Sequence, residues 1–273
     1  MTLTTQPSEP ALTVTKAQSS FDASLKKLDQ AAALIDQAAE TLAPADCDLS
    51  VVIPVYNEPK TVLEIVDRVR RLAITKQIIV VNDGSTDGTA IALEALQRFK
   101  EVRVVHHEVN AGKGAALQTG FRMATGKFVI IQDADLEYDP SDILKVIEPL
   151  INGSADVVYG SRYLVHSDQD PSRLHRFGNW LLTSLSNLMT GYRLTDMETC
   201  YKAFRRELLS QIVIEQKRFG FEPEITAKLA RRRVRITEVP VRYESRGWED
   251  GKKIGIRDLF STVYCIVRYG LRR

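Results

Sequence analysis

The chain has 273 residues, 44% of them apolar, and a formal net charge of only +2. That length suits one large α/β domain or two small ones, and the apolar fraction supports a real core. Three dispersed cysteines, Cys47, Cys200 and Cys265, exclude a disulfide framework and lack metal-ligand spacing, which suits a reducing cytosol. No secretory signal is expected, because the N-terminus has neither a basic segment nor an apolar core. No apolar run approaches a membrane span in length. The small net charge hides an asymmetry: residues 201–273 hold 18 Lys and Arg against 9 Asp and Glu. A basic C-terminal third fits an anionic partner, phosphate or a lipid surface, or else a set of solvated helix faces. No recognition motif accompanies the charge, so nucleic acid is not an expected partner.

In chain order, residues 1–19, rich in Thr, Ser, Gln and Pro, are expected to form a disordered tail. An amphipathic helix is expected over 20–45. Phe21, Leu25, Leu28, Ala32, Ile35, Ala39 and Leu42 recur at steps of four and three, with Ser20 as N-cap and Pro44 as the stop. This stripe either docks on its own domain or pairs as a short coiled coil; it holds no catalytic motif. Alternation then begins. Strands over 49–55, 77–81, 102–106, 127–132 and 156–159 alternate with helices over 61–72, 89–99, 113–124 and 142–151. The pattern predicts a Rossmann-like, mostly parallel sheet flanked by helices, with right-handed crossovers. Beyond Arg162 the pattern loosens. Helices are expected over 177–189, 222–233 and 256–270, and strands over 199–205 and 234–243. Residues 46–273 are expected to form the catalytic domain.

The most informative stretch is Val129-Ile130-Ile131-Gln132-Asp133-Ala134-Asp135-Leu136-Glu137. Its apolar run reads as a buried parallel strand, whose carboxyl end is where open α/β sheets bind ligands. Two carboxylates there repel each other unless a cation lies between them, and hard oxygen donors suit Mg²⁺ or Mn²⁺. The first strand ends in Pro54-Val55-Tyr56-Asn57-Glu58, placing Tyr56 and Glu58 to stack on a base and hold its polar edge or ribose. The second ends in Asn82-Asp83-Gly84-Ser85-Thr86-Asp87-Gly88-Thr89; Asp83 is placed for ligand contact, and the rest reads as helix capping. Asn110-Ala111-Gly112-Lys113-Gly114 lacks the full Walker pattern. It reads as close backbone packing with Lys113 near a diphosphate.

Taken together, these motifs strongly resemble glycosyltransferase family 2, which has the glycosyltransferase-A fold. Val158-Tyr159-Gly160-Ser161-Arg162 and the spacing of Arg246 and Lys252 look like the dolichol-phosphate mannose synthase-like branch, which transfers sugars to polyprenyl phosphates. The resemblance covers about residues 49–260. It implies that Pro54, Tyr56, Glu58, Val81 and Asp83 bind the nucleoside. Asp133, Ala134 and Asp135 would hold a metal-diphosphate, with Glu137, where the branch often has Gln, as a third metal contact. Arg162, Arg246 and Lys252 would grip phosphates, with Arg176 as a further candidate. Asp196 falls in an Asp-containing stretch of the branch, and three roles stay open for it: binding the acceptor, acting as a base or capping a turn. Cys200-Tyr201 stand where the family more often has Gly-Phe, so a different acceptor pocket is expected.

The implied enzyme is an inverting, metal-dependent hexosyltransferase resembling dolichyl-phosphate mannosyltransferases. Its donor would be of the GDP-mannose or UDP-glucose type and its acceptor a polyprenyl phosphate. A saccharide or small polyol hydroxyl is the alternative acceptor, and a non-enzymatic nucleotide-sugar sensor is a more distant reading. The expected location is the cytoplasm, with contact to the membrane's cytoplasmic face, direct or through a partner, open. Trp180, Leu181, Leu182, Leu185, Leu188 and Met189 make an apolar helix suited to such a surface, or to packing on the sheet.

Overall fold

A computed structural model describes residues 48–164, 173–218, 220–245 and 256–271. The expectations for 1–19 and 20–45, and the residues Arg246 and Lys252, lie outside these described residues. Seven strands form one sheet: β1 Leu49–Val55, β2 Lys76–Asn82, β3 Val102–His106, β4 Phe128–Ile131, β5 Val157–Ser161, β6 Lys202–Arg205 and β7 Ile236–Pro240. The order across the sheet is β3-β2-β1-β4-β6-β5-β7. Helices are α1 Val62–Arg70, α2 Thr89–Glu94, α3 Lys113–Met123, α4 Ile143–Ile151, α5 Arg173–Thr190, α6 Arg206–Ser210, α7 Phe221–Arg231 and α8 Ile256–Leu271.

The central strands are apolar along their length because helices cover both faces. Val51, Val52, Ile53, Ile78, Ile79, Val80 and Val81 are all 0% exposed. β1 pairs in parallel with β2 on one side and with β4 on the other. The chain therefore winds outward through β2 and β3, then crosses back to β4. That reversal makes the crevice beyond β1 and β4 a topological switch point, the usual ligand site of such sheets. The β1–β4 ladder ends at Val52 and Ile131. Pro54, which has no N–H to give, falls just past it.

One feature departs from strict βα winding. β6 runs antiparallel between β4 and β5. After α5 the chain stays at the carboxyl edge of the sheet and enters β6 from there. Residues 195–201, which precede β6, are thereby delivered beside the end of β4. The strand itself covers only 202–205 of the expected 199–205. The expected helix over 89–99 is α2 followed by a 3-10 turn, Ala95–Arg98. The expected helix over 177–189 extends from Arg173 to Thr190. α6, a short helix directly after β6, was not anticipated. α7 is buried nearly all round, including Glu222, Glu224 and Lys228. Glu224 is satisfied there by the N–H groups of Glu215 and Gln216 and by Lys228, at 2.5–2.7 Å. Among the described residues no helix is long and apolar enough to cross a membrane.

Candidate active site

The loops leaving β1 and β2 are stitched into one wall of the crevice. Asn57, at φ +55°, donates its N–H to Ser85 Oγ (3.0 Å), and its Oδ1 accepts from Thr86 N–H (2.9 Å). Glu58 donates its N–H to Thr89 Oγ1 at 2.9 Å, and its side chain accepts from Thr61 Oγ1 at 3.1 Å. Pro54, Tyr56 and Glu58 are half-buried on this wall, and Val81 lies wholly inside β2. Asp87, just before the next helix, accepts from Thr89 N–H at 2.9 Å.

Asp83 is 3% exposed. Its carboxylate accepts from Ala111 N–H (3.0 Å), Gly112 N–H (2.7 Å) and His107 Nδ1 (2.7 Å). Burial raises its pKa, but His107 and the two backbone donors outweigh burial and hold it below the ordinary aspartate value. Asp83 thus ties the segment 107–112 to the end of β2. His107, held in turn by Thr119 at 2.9 Å, carried no signal in the sequence.

Lys113 opens α3. A Cβ at Gly112 (φ +99°) would run into the carbonyl of Lys217, and one at Gly114 into the carbonyl of Gln216. Glycine is needed at both positions for the 216–217 backbone to lie this close. Lys113 Nζ then sits 2.9 Å from Asp133 Oδ1 and 3.6 Å from Glu222 Oε1. Burial alone would lower its pKa; Asp133, Cys200 and Glu222 instead raise it well above the usual lysine value, so it stays charged. Cys200 lies against Asp133. Burial first, then that carboxylate, push the thiol well up, which leaves it a protonated and poor nucleophile.

Ala134 is buried beside the strand end. Asp135 Oδ1 accepts from Glu137 N–H at 3.1 Å, turning the chain through Leu136 at φ +64°. Glu137 accepts from the Tyr243 hydroxyl at 2.9 Å, and its carbonyl accepts from Glu244 N–H at 2.8 Å. A cleft of ≈ 350 Å³ opens beside it, lined by Arg68, Leu136, Asp139, Arg242 and Tyr243. Among the described residues, no three Asp, Glu, His or Cys side chains are gathered closely enough to hold a metal by themselves.

Arg162 and Asp196 meet across the end of β5. Arg162 donates Nε–H to Oδ2 (2.7 Å), a terminal N–H to Oδ1 (2.8 Å) and its backbone N–H to Oδ2 (3.1 Å). Both are buried, at 6% and 0% exposure. Arg176 lies half-buried on α5. The described chain stops at Ser245, immediately after the contact with Glu137 and before Arg246. Tyr201, at the position expected to differ, stacks on Tyr138 with ring centroids 4.7 Å apart and donates to Gln132 Oε1.

A mixed sheet of this order, with acidic residues gathered at its switch point, defines a glycosyltransferase-A fold. Glucosyl-3-phosphoglycerate synthase from Mycobacterium tuberculosis, solved with Mn²⁺, UDP and phosphoglyceric acid, superposes with a TM-score of 0.63. That likeness covers 87% of this chain and 82% of that one, at 20% identity. Residues 50–213 match the family described as Glycosyl transferase family 2. Polyprenol monophosphomannose synthase of Mycolicibacterium smegmatis is 30% identical over 81% of this chain and 86% of its own length. An undecaprenyl-phosphate 4-deoxy-4-formamido-L-arabinose transferase of Pseudomonas fluorescens is 31% identical over 84% of this chain and 67% of its own. The chain belongs to glycosyl transferase family 2, and it is a glycosyltransferase.

Proposed function

We propose that this glycosyltransferase moves a sugar, with inversion and with the help of a divalent metal, from a nucleotide sugar to a polyprenyl phosphate. The observation that carries this reading is Asp133 and Asp135 at the switch point, beside Lys113. The names of the two family relatives supply the acceptor class. The Asn57–Ser85–Thr86 wall would receive the nucleoside, with Tyr56 against the base and Glu58 toward the ribose.

The donor set fits a hard cation. Asp133 and Asp135 are carboxylates of adjacent alternate residues, and no third group closes a cage. Mg²⁺ or Mn²⁺ held by these two carboxylates would keep positions for diphosphate oxygens, and Glu137, the proposed third donor, would have to leave its bond to Tyr243 to join them. Such a metal neutralises the charge that develops on the departing nucleoside diphosphate. Lys113 adds a fixed positive charge on the same side. It is paired with Asp133, and a bound metal-diphosphate would let it turn toward a phosphate oxygen.

A phosphate monoester with a second pKa near ~6 is already largely dianionic at neutral pH. Its oxygen attacks the anomeric carbon in line with the departing diphosphate and needs no general base. That matches Asp196, whose carboxylate is taken up by Arg162. We assign the pair to holding the floor of the acceptor side. Arg246 and Lys252, which follow Ser245 in sequence, remain the proposed clamps for the acceptor phosphate. Phe177, Trp180 and Leu181 on α5 and Phe260, Tyr264 and Leu271 on α8 are exposed. The two helices pack together, Gly270 against Met189. These exposed apolar side chains, in a chain whose C-terminal third is rich in Lys and Arg, suit peripheral contact with an anionic bilayer, where a polyprenyl phosphate resides.

The test is a donor panel incubated with the protein, Mn²⁺ or Mg²⁺ and a short polyprenyl phosphate. The reading expects one or two nucleotide sugars to yield a solvent-extractable glycosyl lipid, and chelator to abolish it. Transfer only to saccharide or polyol hydroxyls in the same panel would replace the acceptor with the alternative one.

A further inference from the structure

Among the described residues, two side-chain oxygens are buried with no hydrogen-bond partner: Glu198 Oε1 and Glu222 Oε2. They belong to different elements. Glu198 lies in the loop that the antiparallel β6 brings to the carboxyl edge, and Glu222 in the first turn of α7. Glu222 is 5% exposed. A buried carboxylate oxygen without a donor costs its full desolvation, and native proteins keep few of them. Helix capping does not explain Glu222, whose side chain reaches away to Lys113 at 3.6 Å.

The two acids feel each other's charge. Burial first, and Glu222 next, push the Glu198 carboxyl above its ordinary value, against the pull of Lys202 and Arg162. Its other neighbours are accounted for. Lys202 donates to the carbonyls of Met197 (2.8 Å) and Thr199 (2.5 Å), and Arg162 is bound to Asp196. Lys113 stands between Glu222 and Asp133, so the unpartnered oxygens lie one cation away from the carboxylate assigned to the metal-diphosphate.

The missing partner must donate hydrogen bonds. An anion is refused by two acids, and positive charge is already supplied by Lys113 beside Glu222 and by Lys202 beside both acids. Carboxyl oxygens accept hydrogen bonds, and sugar hydroxyls bring the donors they lack. We infer that Glu198 and Glu222 hold hydroxyl groups of the donor's sugar ring, and so set which sugar the enzyme accepts. This rests on the reading above that a nucleotide sugar binds with its diphosphate at Asp133 and Asp135.

The test is calorimetric binding to wild type, Glu198→Gln and Glu222→Gln, with Mn²⁺ present. UDP-glucose, UDP-galactose and GDP-mannose are compared with sugar-free UDP and GDP. In wild type the preferred nucleotide sugar should bind with a contribution from its sugar. Each variant should lose about tenfold to a hundredfold in affinity for that donor, the scale of hydrogen bonds to a charged group. Affinity for the bare nucleotide should stay within about twofold, and the ranking of the sugar epimers should change. Glu198 is partly exposed and sits in a loop, so its variant tests the idea even if Glu222→Gln unfolds. Equal losses for nucleotide sugar and bare nucleotide, or no loss for either, overturn the inference. A wild type that binds nucleotide but gains nothing from the sugar overturns this inference alone. A wild type that binds no nucleotide at all overturns the functional reading along with it.

Discussion

Two carboxylate–cation pairs sit at the same edge of the sheet and are built in opposite ways. Lys113 and Asp133 are 18% and 21% exposed in their side chains, and Asp133 is reached by one flexible ammonium. Arg162 and Asp196 are 7% and 0% exposed and joined by a planar, forked contact. The lysine pair rests on one flexible point charge, which a dication and a diphosphate can redirect. A buried arginine pair cannot be opened without leaving a charge stranded in the interior. A carboxylate and a cation thus give an openable contact at the end of β4 and a fixed one at the end of β5. Exposure and geometry separate the two roles where sequence type does not.

The largest effect should come from breaking the fixed pair. Asp196→Asn or Arg162→Ala should destabilise the fold by about 3–5 kcal/mol, the cost of removing one partner of a buried ion pair. Urea unfolding measures it; a loss under ~1 kcal/mol, the level of a surface pair, would show that the contact is dispensable. The matching change in the open pair should have the reverse signature. Asp133→Asn and Asp135→Asn should leave the unfolding midpoint nearly unchanged and depress transfer by at least about a hundredfold, the scale of losing one group that stabilises developing charge. Steady-state assays at saturating donor distinguish this from weaker donor binding.

A smaller effect is expected at Asp83. Its folded pKa is depressed, so its contribution to stability is present above the ordinary value of 3.8 and is lost as pH falls through the lower folded value. Asp83→Asn should cost about 1.5–3 kcal/mol at pH 7, as for hydrogen bonds to a charged group. The gap between variant and wild type should close in the most acidic unfolding curves. A gap that does not change with pH would mean that the neutral side chain does the same work. The smallest effect belongs to Tyr243→Phe, which removes one hydrogen bond to Glu137. It should cost roughly 1 kcal/mol and change the Mn²⁺ requirement only a few-fold, read from a metal titration of activity.

The parallel half of the fold was legible because its strands are buried on both faces and read as apolar runs. β1 and β3 fall where those runs predict, and the motifs sit at strand ends because the alternation places them there. The direction of β6 was not legible, since no local pattern encodes which way a strand runs. With it went the placement of residues 195–201 beside β4. Arg162 and Asp196 were each singled out, but as a clamp and a three-way ambiguity; their contact joins residues 34 positions apart. Glu222 looked like an ordinary acid in a helix's first turn, and only the fold brings it to Lys113. His107 and Tyr243 likewise act through contacts that close over long sequence separations.

The openness of the Lys113–Asp133 pair is tested most directly by Mn²⁺ electron paramagnetic resonance, which reads free ion without needing an acceptor or turnover. Adding UDP or GDP to wild type and Mn²⁺ should quench the free-ion signal well beyond nucleotide alone. The same addition to Asp133→Asn or Asp135→Asn should leave it near the nucleotide-only level. Equal quenching by wild type and both variants would contradict the account, because the metal-diphosphate would then be bound elsewhere.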